Sequence, residues 1–359
     1  MTVKEKIKLF VPPICFRLRS KILSGVPIFY TAPTHEEVMY RSVQIINKQR
    51  DLELTNLDAL SENIQYGGMN FWSANQSPES SYYGSFYTMQ KYAGLPTLGF
   101  PPKALRIQHG IVYDMLNWEY AKLNDVNWVW SPTVVNLFRE HTNNPDIIEI
   151  GAPFFYAQSV LSAEKIAEEK KRLGHNLLAF PMHSTYNVYK EYDPTHFLSV
   201  LNEQRKQFDS VRVCVYWRDW QRGFGKIYKE AGFECVCSGH LFDPFFLERQ
   251  KALFEIADAT ISNALGSHVG YSIYMNKPHC LITDEFELKD LRGSSGKEEA
   301  DSIAVSSNYK KIQDAFSNNT NYNITQYQKS IVDEFWGVSS IKSPAEVRGL
   351  IMSAYRRTE

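Results

Sequence analysis

The chain has 359 residues, 43% of them hydrophobic and 22% charged, with a formal net charge of −1. At roughly 150 residues per domain this length suits two domains, each large enough to bury a core without disulfide or metal staples. The near-neutral balance excludes a general nucleic-acid binder, which carries a broad basic excess.

Residues 1–22 are uneven, with six Lys or Arg against the single acid Glu5 and with Leu9, Phe10, Val11, Ile14, Phe16 and Leu18 interleaved. Pro12 and Pro13 break the apolar run, so it is too short to span a bilayer and lacks the h-region of a signal peptide. A basic, apolar edge of this kind suits the anionic cytoplasmic leaflet; a terminus with chance charge is the alternative. From 34 to 64 the pattern is helical, and 66–88 is an aromatic, Ser/Gly-rich loop leading into a helix. Short strands follow at 104–112, 126–132 and 146–153, with Pro132 opening a helix. A charged helix at 159–174 closes on Gly174 and separates the halves.

The second half alternates regularly. Strands are expected at 176–181, 211–217, 233–237, 258–262 and 279–283, with helices at 195–207, 224–231, 244–257 and 268–276 between them. Apolar strands alternating with helices mean βαβ units and a parallel sheet. The tail, 325–359, reads as two helices around "GVSSIKSP". The fold class is therefore α/β, with two Rossmann-like domains at 1–157 and 158–325 and C-terminal helices at 326–359.

Ligands of an open parallel sheet bind outside the carboxyl ends of its strands. The loops there supply His183, Ser184 and Thr185, then Arg218, then His240, and finally Ser262, Asn263, Gly266, Ser267 and His268. Hydroxyls, glycine, imidazoles and a guanidinium at helix N-termini, with few carboxylates, form a phosphate-binding edge suited to a nucleotide. Each has a plainer alternative: Ser184 and Ser262 also fit as helix caps. In the first half, "RIQHGIVYDM" puts His109 at a strand end, a place for a general base, with Asp114 close enough in sequence to orient it. A structural His109, bonded to a neighbouring loop, is the competing expectation. No Walker A, GxGxxG or HExxH pattern occurs, so neither a dinucleotide cofactor nor a metal is expected. Five cysteines (Cys15, Cys214, Cys235, Cys237 and Cys280) read as free thiols of a reducing compartment, the cytoplasm.

The "IGxP" exit from the first half and the "SN-xx-GSHVGYSIYMNKP" turn of the second resemble GT-B glycosyltransferases of bacterial surface-polysaccharide (O-antigen or capsule) synthesis. The "QHG" and "HS" elements also resemble polyol-phosphate transferases of the wall teichoic-acid type and some sialyl- or Kdo-transferases. The resemblance implies two domains facing a cleft, with the C-terminal helices crossing back. It implies a nucleotide-sugar donor held as substrate by the second domain, with no cofactor and no metal. The acceptor, a saccharide or lipid-linked saccharide, would meet the first domain around Tyr66, Trp72 and Tyr83, at the cytoplasmic membrane surface. No E-x7-E arrangement occurs in the donor half, so inversion is expected, with His109 or Asp114 as base. A CDP-alcohol transferase and a non-catalytic nucleotide-sugar-binding protein of the same fold are the alternatives.

Overall fold

The computed structural model describes residues 44–62, 64, 78–97, 101–102, 105–114, 126–141, 146–183, 189–191, 193–282, 287–289, 306–317 and 319–357. The basic segment 1–22, Tyr66, Trp72, Ser184 and Thr185 lie outside the described residues.

Two parallel sheets organise the chain. The first holds β1 (Leu105–Ile107), β2 (Val126–Val129) and β3 (Ile147–Glu149) in the order β1-β2-β3, with Leu105 beside Val126 and Asn127 beside Ile147. Its strands are shorter than the sequence predicts because their last residues leave the ladder as loops. Pro132, whose fixed φ suits a first helical turn, starts the helix Pro132–His141, and Gly151, at φ 72°, turns the chain into the 3-10 turn Pro153–Tyr156.

The second sheet holds β4 (Asn176–Phe180), β6 (Ser210–Cys214), β7 (Glu234–Val236), β8 (Ala259–Ser262) and β9 (His279–Leu281). All four pairings are parallel and the spatial order is β7-β6-β4-β8-β9. In order of occurrence that is 3-2-1-4-5, a doubly wound arrangement whose connections reverse direction between β4 and β8. Central strands of such a sheet are covered on both faces, which is why "NLLAF" and "ATIS" are buried at every position. The segments β5 (Tyr189–Glu191) and β10 (Glu287–Lys289) form a separate antiparallel pair.

The C-terminal helices join the two sheets. Helix α11 (Gln326–Trp336) begins on a Thr325–Gln328 capping box and packs on α9 (Ser267–Tyr274), with Trp336 Nε1 donating to the Ser267 carbonyl at 3.0 Å. Gly337, in the left-handed region, ends it, and the chain crosses back to the first sheet. There α12 (Pro344–Arg356) buries Val347 and Ile351 with Phe86, Met89, Leu105 and Trp128. Arg348 Nε fixes it to the Ala93 carbonyl at 3.0 Å.

The 34–64 region departs from the single helix its apolar spacing suggests. Residues 44–49 are helical, turns follow, and a separate α1 (Leu57–Leu60) starts on Asn56, whose side chain accepts from Ala59 N. The break has a tertiary cause. Cys237 N donates to the Leu54 carbonyl at 2.9 Å, and Trp220 Nε1 to Asp58 Oδ1 at 2.7 Å. Leu57, Leu60 and Tyr82 thereby share a core with Phe197, Val211, Trp217 and Trp220 of the second sheet's surroundings. Lys91 of α2 (Ser85–Tyr92) pairs with Glu248 of α8 (Phe246–Ile256) at 2.6 Å, a further tie between the halves.

Candidate functional site

In a doubly wound sheet the candidate binding crevice lies outside the carboxyl ends of the strands where the order reverses, here β4 and β8. Asn263 closes its floor: its Oδ1 accepts from Met182 N at 2.6 Å, which clamps the loop after β4 to the loop after β8. Ser262 is fully buried below, its Oγ donating to the Ala264 carbonyl at 2.9 Å and lying 3.1 Å from His279 Nε2. Thr260 and Ser272 complete this buried polar group around His279 Nδ1. Burial holds His279 down to about 3, so the group is neutral and serves to join β8, α9 and β9.

Gly266, extended at φ −163°, precedes α9 and supplies no side-chain cap; Val269 N donates to the Gly266 carbonyl at 3.1 Å, and the amides of Ser267 and His268 open the helix. Ser267 opens the helix, and its side chain hydrogen-bonds Tyr271. The His268 ring stacks on Phe180, the last residue of β4, with centroids 4.7 Å apart. His183, partly buried after β4, stacks on Tyr216 at 4.3 Å. Burial first, then the neighbouring His279 and His183, hold His268 well below its usual range. It is therefore a neutral ring near pH 7 and adds no charge to the phosphate-binding edge expected from sequence.

His240 follows β7. It is 5% exposed, its Nδ1 accepts from Phe242 N at 3.2 Å, and its ring lies 4.1 Å from that of Trp217. Desolvation lowers it to about 4, so it too is neutral and part of the wall. Arg218 stands partly exposed in the short helix α6 (Trp217–Gln221).

In the first sheet β1 is followed by Gln108 and then by His109, which packs edge-on against Tyr82. Gln108 fixes its backbone from both sides: Oε1 accepts from Trp130 N at 2.8 Å and Nε2 donates to the Gly110 carbonyl at 2.9 Å. Trp130 Nε1 returns a bond to the Gln108 carbonyl at 3.0 Å. The loop then runs across to α10 (Ser307–Phe316). There the Asp114 carboxylate accepts from the Ser306 hydroxyl and from Asn308 Nδ2, and Asn308 Nδ2 also reaches the Tyr113 carbonyl at 3.1 Å. Asp114 thus anchors the far end of the loop while His109 sits along its span.

A band of rings connects the two sides. His109 meets Tyr82 edge-on at 4.8 Å, Tyr82 meets Phe242 at 5.4 Å, and Phe242 adjoins His240 at 5.9 Å. Tyr83 packs on Phe246 at 4.8 Å, and its hydroxyl bonds that of Tyr216. Tyr83 holds a left-handed backbone at φ 58°, costly for a bulky residue by roughly 1–2 kcal/mol. Its N–H donates to the Leu241 carbonyl at 2.6 Å, which keeps it there. Such strain persists where surrounding contacts over-determine it.

Tyr216, Gln108 and Phe180 are the site residues that sequence reasoning missed. Tyr216 falls inside the expected strand 211–217, but β6 stops at Cys214 and leaves Tyr216 at the crevice as the residue preceding α6. Among the described residues no three His, Cys, Asp or Glu side chains group as metal ligands, and no helix is long and apolar enough to cross a membrane.

No protein-family model matches the chain, and no curated protein sequence does. Among solved structures it is similar to that of Medicago truncatula UGT71G1 complexed with UDP-glucose, at 9% identity and a TM-score of 0.28. The match covers 67% of this chain and 51% of that one, so the chain aligns with about half of that protein's length.

Proposed function

We propose that the chain is an inverting glycosyltransferase that moves a sugar from a nucleotide-sugar donor to a saccharide or lipid-linked acceptor. One observation supports this reading: His109, on a loop fixed at both ends, is joined through the rings of Tyr82 and Phe242 to His240, which follows β7 at the carboxyl end of the second sheet. A crevice at that reversal point is where open parallel sheets take nucleotides. The uncapped start of α9, with the Ser267 amide, suits a diphosphate. His183 and Arg218 flank it on the β4 and β6 side. Ser262, Asn263 and Gly266 shape the loop that presents it. His240 packs the wall.

In the proposed step, His109 removes the proton of the acceptor hydroxyl as that oxygen bonds to the anomeric carbon from the face opposite the nucleotide. The bond from anomeric carbon to phosphate oxygen breaks, and its electron pair leaves with the phosphate, where the α9 amides stabilise the charge. No metal enters this scheme. The narrower assignment, surface-polysaccharide synthesis at the cytoplasmic membrane surface, is supported by the sequence resemblance alone, as are the division at 157 and 325 and the first domain's role on the acceptor side.

The test is a thermal-shift panel of UDP, GDP, CDP, CMP and dTDP, followed by product analysis with the matching nucleotide-sugar. Stabilisation by one of them, with turnover lost in His109→Ala and binding kept, supports the reading. No stabilisation by any nucleotide, or normal turnover in His109→Ala, contradicts it. CDP-glycerol in the donor set separates sugar transfer from polyol-phosphate transfer.

A further inference from the structure

Two atoms of His268 have different fates. The ring donates to the Ala264 carbonyl, a carbonyl that the Ser262 hydroxyl also uses. Nδ1 is the ring nitrogen on the side of the 264–266 turn, 2.8 Å from where a Cβ at Gly266 would stand against 4.0 Å for Nε2, so Nδ1 is assigned as the donor; Nε2 is shielded from solvent and has no hydrogen-bond partner among the described residues. An imidazole protonated at Nδ1 carries a lone pair at Nε2 and can only accept there. The ring is pinned in place. Phe180 lies against one face, His279 lies 5.6 Å away, and a Cβ at Gly266 would sit 2.8 Å from Nδ1 and Cε1. Position 266 must therefore be glycine for the ring to lie where it does, at the mouth of α9.

An acceptor without a donor is a costly thing to bury, and proteins leave few of them. Phosphate oxygens are acceptors themselves and cannot satisfy it. A phosphate would need a second proton on the ring, and burial, His279 and His183 all oppose that proton. The donors a nucleotide-sugar brings are the N–H groups of its base and the hydroxyls of its ribose and its transferred sugar; beside a diphosphate seated on the start of α9 the hydroxyls are the nearer ones.

From these contacts we infer that His268 Nε2 accepts a hydrogen bond from a hydroxyl of the transferred sugar, and that it sets specificity for a polyhydroxylated group instead of binding phosphate. The inference rests on the donor-site reading above. It divides the start of α9 into two tasks: backbone amides for the leaving phosphate and the second residue's side chain for the sugar.

The test is isothermal titration of wild type, His268→Phe and His268→Gln with paired probes. The pairs are UDP and UDP-glucose, GDP and GDP-mannose, dTDP and dTDP-glucose, and CDP and CDP-glycerol. His268→Phe keeps the ring stacked on Phe180 and removes the acceptor; His268→Gln keeps an acceptor oxygen. For the pair that binds wild type, His268→Phe is expected to bind the conjugate about tenfold more weakly, one hydrogen bond's worth, and the bare nucleotide unchanged. His268→Gln is expected to recover most of that loss. An equal loss for both partners of the pair overturns the inference in favour of phosphate or ribose contact. No loss for either overturns it in favour of a buried water on Nε2. If wild type binds no probe, the donor-site reading itself fails. Should His268→Phe not fold, His268→Leu, which also lacks a polar atom, carries the same comparison.

Discussion

Gly270 is the position at which the C-terminal helices press hardest on the site. A Cβ built there would lie 2.3 Å from both Cδ2 and Cε2 of Trp336 and 2.6 Å from its Cγ. Ordinary carbon contacts are about 3.5–4.0 Å, so something must move by about 1 Å. The indole cannot turn aside: Trp336 is fully buried and its Nε1 is bonded to the Ser267 carbonyl at 3.0 Å. Gly270→Ala therefore sets two effects against each other. Helix propensity favours alanine by about 1 kcal/mol, while overpacking a tight core costs about 1–3 kcal/mol, with this contact at the upper end. The expected net is a destabilisation of about 2 kcal/mol in urea denaturation. Because the indole carries the Ser267 carbonyl with it, nucleotide affinity in titration is expected to fall as well. A variant as stable as wild type, or more stable, would refute the close approach of α11 to α9 and with it the claim that the C-terminal helices set the site.

Gln108→Ala strips Trp130 N of its acceptor and frees the Gly110 carbonyl; a loss of about 1–3 kcal/mol in stability is expected, with turnover falling more than donor affinity because His109 loses its anchor. An unchanged rate at saturating substrate would show that Gln108 does not position His109. His279 and His240, held to about 3 and about 4, remain neutral in the folded chain but protonate near 6.5 when unfolded, so their contribution is full above pH 6.5 and is lost as pH falls towards 4. Between pH 7 and pH 5.5 the pair should cost about 2–3 kcal/mol in urea midpoint analysis, and His279→Gln should flatten the slope; stability constant over that range would contradict their burial as neutral rings. Arg249 and Asp243 form a wholly buried ion pair at 2.6 Å, so Arg249→Leu strands a carboxylate and should cost about 3–5 kcal/mol; a melt close to wild type would mean the pair is not buried as described.

Much of the second sheet was legible because parallel, doubly covered strands leave continuous apolar runs. "NLLAF" and "ATIS" have no other reading beside Gly174 and the "SNALGSH" break. Pro132 and Pro344, each at the start of a helix, and Gly337 after Trp336 marked ends for the same local reason. What sequence left out is tertiary. The apolar face of 34–64 announces burial but not against what, and its described part is broken by bonds to Cys237 and Trp220. "RVCVYW" contains no breaker, so nothing local tells that the strand stops before Tyr216. Ser262 and His268 are six residues apart and alike in polarity, yet one points into a buried network and the other lines the crevice. Asp114 finds Ser306 across 192 residues, a pairing with no sequence signal at all.

Determining the structure with the nucleotide-sugar selected by the panel is the most direct measurement of the central claim. The diphosphate is expected against the first-turn amides of α9, between the loops after β4 and β8, with the anomeric carbon open to His109. A donor bound at the amino-terminal edge of the sheet, near Asn176 and Arg212, or a sugar turned away from His109, would contradict it.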